Sequence, residues 1–72
     1  MNEFQTLANA IIEQAAKDYR AARKRLRKNP YHLASMRNVT EVEVFFQSDW
    51  FKAMTTINGS TVLNLLREEF DS

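Results

Sequence analysis

Cysteine is absent from the 72 residues, and glycine and proline occur once each. Without cysteine no disulfide can staple the chain, and no thiolate can serve as nucleophile or metal ligand. So little turn punctuation disfavours a sandwich or barrel of many short strands and suits a few helices. No apolar run approaches the roughly 20 residues that cross a bilayer. The opening Met1-Asn2-Glu3-Phe4 also lacks the basic-then-apolar order of a signal peptide. A cytoplasmic protein without membrane contact is the expectation.

What is present is ordinary for a globular chain. Hydrophobic residues make up 44% and aromatics 11%, too apolar a composition for disorder. The length fits a single helical domain over residues 1–72 with a modest core. Net charge is only +1, yet it is unevenly placed: residues 1–30 carry +4 and residues 31–72 carry −3.

Helical periodicity is clearest from Glu3 to Lys28. At 100° per residue, Phe4, Leu7, Ala8, Ile11, Ile12, Ala15, Tyr19, Ala22 and Leu26 fall in one stripe about 140° wide. Arg and Lys crowd the last turns, where cations favour the negative end of the helix dipole. Asn29-Pro30 ends the element, and Asn29 is expected to cap the next helix with Pro30 in its first position. From Tyr31 to Phe46, the residues Tyr31, Ala34, Val39, Val42, Phe45 and Phe46 share a helical face. Val39 to Val44 also alternates as a strand would. Helix is the reading adopted, because no other segment offers a strand to pair with. Ser48 or Asp49 can cap a short helix carrying Trp50, Ala53, Met54 and Ile57. Asn58-Gly59 reads as its stop, with glycine in the left-handed conformation. Ser60 can then cap a last helix presenting Val62, Leu63, Leu66 and Phe70. The expected fold is therefore all-α, a small bundle of three main helices (about 3–28, 31–46 and 60–70) plus a short helix near 49–56.

The catalytic inventory is thin. His32 is the only histidine, so a serine nucleophile would need it as base, and its place at a helix start predicts an exposed ring without that role. One glycine cannot build a phosphate-cradling loop. Glu41 and Glu43 would point about 200° apart on a helix and cannot share a metal or a proton. No enzyme activity, cofactor or metal is expected.

Two features suggest binding instead. The first is the run from Arg20 to Lys28. Lys17, Arg20, Lys24, Arg27 and Lys28 lie within a band about 100° wide, with Arg23 nearby. These six cations form a solvated helix end, a surface for nucleic acid, or a surface for an acidic partner. The second is Phe45-Phe46-Gln47-Ser48-Asp49-Trp50-Phe51, with four aromatics in seven residues. Most must be core. One face of a short helix cannot hide all four, so Phe46, Trp50 and Phe51 are candidates for a protein interface.

The motifs Ala15-Ala16-Lys17-Asp18-Tyr19-Arg20, Asn29-Pro30, Phe45-Phe46-Gln47-Ser48-Asp49-Trp50 and Met54-Thr55-Thr56-Ile57-Asn58-Gly59 resemble a family of small uncharacterised helical proteins encoded by phages, prophages and integrative elements of Gram-positive bacteria. The family often has an acidic residue before its glycine, where this chain has Asn58. The resemblance implies helix over 31–46 and a bacterial host cell. It also implies what small phage proteins do: bind a host or phage protein, regulate transcription, or block a defence system. The first expectation is a non-enzymatic module that binds, and inhibits, a protein target. The alternative is a nucleic-acid-binding accessory using the basic half of the first helix. The ends of that long helix also leave room for a homodimer.

Overall fold

The computed structural model describes residues 3–71, which form four helices: α1 Glu3–Lys28, α2 Leu33–Phe46, α3 Asp49–Met54 and α4 Gly59–Glu68. No strand occurs among the described residues, so the alternation from Val39 to Val44 lies within a helix. The chain is a small all-α bundle of three main helices and one short one, as the periodicity predicts.

The 26 residues of α1 rise about 39 Å at 1.5 Å each and span the molecule's 40 Å long axis. A four-residue turn brings α2 back antiparallel along it, so that Ser35 lies near Ala22, and Val42 and Phe45 near Ile11 and Ala15. α4 then runs back along α2, with Gly59 against Phe46 and Phe70 beside Val39. Between these helices lies one core of Ala8, Tyr19, Val42, Phe46, Phe51, Met54, Leu63 and Leu66. Phe45, Phe46 and Phe51 pack ring against ring with centroids 5.3–5.5 Å apart, the tilted and edge-on geometry that aromatic quadrupoles favour.

The helix starts differ from the sequence expectation in two places. Asn29 does not cap α2; its Oδ1 accepts from the Tyr31 N–H, a local turn that leaves Pro30 outside the helix. The cap is His32, whose Nδ1 accepts from the Ser35 N–H at 3.2 Å and also meets the Ser35 hydroxyl at 2.9 Å. Tyr31 and Ala34 are consequently exposed, and Ser35, Val42 and Phe46 form the buried face of α2. An imidazole acceptor here relieves one of the orphan donors of the first turn. His32→Ala will therefore lower stability by about 1 kcal/mol, and His32→Asn will restore most of it, as read by urea denaturation. An equal loss for both variants would contradict the capping role.

Nor is Ser60 the cap of α4. Asn58 Oδ1 accepts from the Thr61 N–H, and Gly59 is the first helical residue with a negative φ. Gly59 is required for closeness rather than for a left-handed turn: a Cβ built there would overlap the Phe46 carbonyl. Ser48 caps α3, accepting from the Phe51 N–H at 3.1 Å.

Candidate binding groove and basic face

α2 has 14 residues and α4 has 10, rising about 21 Å and 15 Å. Neither can cover all of α1. The short α3 faces the first turns of α1, where Phe4 and Leu7 remain 62% and 60% exposed. Across from them α3 turns Phe51 and Met54 inward and leaves Trp50 outward, 63% exposed. Between the two helices lies an apolar groove of about 170 Å³ lined by Phe4, Leu7, Ala8, Ile11, Trp50, Ala53 and Met54. Past Ile11 and Trp50 it continues along Ala15, Val42 and Phe45. Phe4, Leu7, Ala8 and Ile11 recur at helical spacing, so the groove has a straight ridged wall of about two turns.

The sequence candidates divide sharply here. Phe46 and Phe51 are buried, at 2% and 0% exposure, and are not interface residues. They lie where α2, α3 and the start of α4 meet, their rings against each other and against Phe45, with Gly59 close by. Trp50 alone of the three faces out, its ring resting edge-on against Phe45 at 5.9 Å. Phe4 and Leu7, at the apolar start of the long first helix where the sequence leaves room for another copy, line the groove, and Met54 belongs both to its floor and to the core. The signal for Phe4 and Leu7 was length: a 26-residue helix outreaches its partners.

At the other end of α1, the basic residues also divide. Arg20 donates from Nε and Nη2 to both carboxylate oxygens of Glu69, at 2.9 and 3.0 Å. That hydrogen-bonded pair raises the Arg20 pKa and holds the Glu69 carboxyl below its ordinary value, with smaller charge effects from Arg20 and Lys24. Arg23 donates to Asp71 at 3.0 Å and to the Tyr19 hydroxyl at 3.1 Å. Arg27 reaches the Phe70 carbonyl and lies 5.2 Å from the Phe70 ring centre. Lys17, Lys24 and Lys28 make no ion pair among the described residues. A further acidic contact joins α2 to α4: Glu43 accepts from Arg67, and this hydrogen bond is the main cause of a raised Arg67 pKa.

His32 spends its Nδ1 on the α2 cap, and Glu43 its carboxylate on Arg67. Among the described residues no group of three His, Asp or Glu side chains is placed to hold a metal ion. A wider depression of about 700 Å³ between α3 and α4 is lined by Gln47, Lys52, Thr55, Thr56, Asn58 and Ser60. It offers one cation and no carboxylate or imidazole to form an acid–base pair. The end of the apolar groove between Phe4 and Trp50, at about 170 Å³, is smaller than the roughly 300–1,000 Å³ of sites for small organic ligands. No helix among the described residues is long and apolar enough to cross a membrane.

Fold and surface together define a small helical bundle with an uncovered apolar groove at one end and a partly neutralised cationic face at the other. No protein family matches the chain, and no similar curated protein or solved structure was found.

Proposed function

We propose that the chain is a non-enzymatic binding module whose α1–α3 groove takes an amphipathic helix from a protein target, and that occupancy inhibits the target. The observation that carries this reading is the convergence of Phe4, Leu7 and Trp50 on one groove, each more than half exposed. Burying an aliphatic or aromatic side chain fully is worth about 1.5–3 kcal/mol. Three such residues left in water on one face of so small a chain are a standing incentive for association. The straight wall at i, i+3, i+4 and i+7 suits the packing of a second helix along it. The sequence resemblance to phage and prophage proteins supports a host or phage protein as the target, inside a bacterial cell.

Trp50 is the anchor expected to dominate, being large, partly preorganised by Phe45, and central to the groove. Trp50→Ala will weaken target binding by at least about 30-fold, or roughly 2 kcal/mol, with helix content by circular dichroism unchanged. The test is affinity capture from host lysate by the full chain, by L7S/W50A and by R20Q/R27Q, followed by titration of the captured protein. The first variant will lose the target and the second will keep it. Equal recovery by L7S/W50A would sink the groove reading.

A further inference from the structure

Three arginines of one α1 flank are held by three consecutive residues that follow α4. Both oxygens of Glu69 take the Arg20 guanidinium, Asp71 takes Arg23, and between them the Phe70 carbonyl takes Arg27. The Phe70 ring lies beneath Arg23 and Arg27, 5.4 and 5.2 Å from their guanidinium carbons. It packs edge-on against buried Tyr19 at 6.3 Å. The fold thus fixes a strap of oxygen acceptors along a row of arginines. The two-pronged grip of Arg20 on a carboxylate is the same one a guanidinium uses on phosphate.

We propose that the Arg20–Arg23–Arg27 row is a binding site for nucleic-acid phosphates, and that residues 69–71 are its built-in competitor. The site shares no residue with the apolar groove and stands or falls independently of it. Nucleic acid is favoured over an acidic protein segment by the extent of the cationic band. From Lys17 to Lys28 it runs about 16 Å, which faces about five phosphates of a strand at 3.4 Å each. The strap satisfies only the arginines and leaves Lys17, Lys24 and Lys28 without an ion pair among the described residues. A regular polyanion engages both sets at once. The strap is also weak enough to be displaced, because its carboxylates are exposed and an exposed pair holds its partner only a few-fold over solvent. Several phosphate contacts, each releasing counterions, outweigh two such pairs.

The test is fluorescence anisotropy of labelled duplex DNA and of single-stranded RNA at about 50 and 200 mM salt. The proteins are the full chain, E69Q/D71N, R20Q/R27Q, and the four substitutions combined. All four positions are at the surface, and circular dichroism checks that each variant keeps its helix content. E69Q alone serves as a milder second variant. E69Q/D71N is expected to bind about ten-fold tighter than the full chain at low salt, and E69Q about three-fold. The gain is expected to shrink at high salt and to vanish when R20Q/R27Q is added. Gain on either nucleic acid supports the site, and the larger gain identifies duplex or single strand as the natural form. Three results would overturn the proposal: no tightening by E69Q/D71N, a gain that survives R20Q/R27Q, or a gain confined to poly-glutamate in a parallel titration.

Discussion

Phe51→Ala will remove about 3–5 kcal/mol of folding stability, while Trp50→Ala, one residue earlier, will cost under about 1 kcal/mol. The contrast follows from where α3 points the two rings. Phe51 is fully buried and meets Phe45 at 5.5 Å and Phe46 at 5.3 Å, so alanine leaves a cavity among rings that cannot collapse into it. Trp50 is 63% exposed and loses chiefly its edge contact with Phe45. A chain of this length has about 4–11 kcal/mol in total, at 0.05–0.15 kcal/mol per residue. The first change therefore consumes much of the stability, and the second leaves the fold intact. Urea denaturation followed by circular dichroism reads both. Comparable losses at the two positions would mean that Trp50 belongs to the core.

Gly59→Ala will destabilise the domain by about 3 kcal/mol, although alanine is the better helix former. Intrinsic propensity favours alanine over glycine by at most about 1 kcal/mol in a helix interior, and Gly59 sits only at the first helical position. Against that small gain stands a direct overlap of the new Cβ with the Phe46 carbonyl, and a tight 3.1 Å approach to the Phe51 ring. Overpacking costs about 1–3 kcal/mol. The upper end applies because the obstacle is backbone at the end of α2 and cannot rotate away. The φ angle of Gly59 is negative, so no backbone strain is relieved or created. A thermal melt shows the effect, and an unchanged or raised midpoint would refute the close approach of α4 to α2.

The helices were legible because their signals are local. A 26-residue stripe at 3.6 spacing, the Asn29-Pro30 break and the cap at Ser48 all act within a few residues of sequence. The caps at His32 and Asn58 were less so. Asn29 and Ser60 are equally good cap formers in isolation, and what displaced them is tertiary: α2 must start where Ser35 can face Ala22, and α4 where Gly59 can lie on Phe46. The inward turn of Phe51 and the outward turn of Trp50 depend likewise on the angle at which α3 crosses the bundle, which no periodicity over six residues encodes. The free apolar start of α1, where Phe4 and Leu7 lie, was legible in the length of that helix. The pairing of Arg20 and Arg23 with Glu69 and Asp71 could only be suspected from opposite charges 48 and 49 positions apart.

The account rests most heavily on the groove between α1 and α3 being a surface that meets another protein. The direct measurement is site-specific photo-cross-linking in host lysate, with the reactive side chain placed at Leu7, at Trp50, or at Leu65 of α4. Leu65 is 59% exposed but lies outside the groove. One adduct of a single added mass from positions 7 and 50, and none from 65, is the predicted result. Adducts only between copies of this chain, or equal labelling from position 65, would contradict a groove built for a protein target.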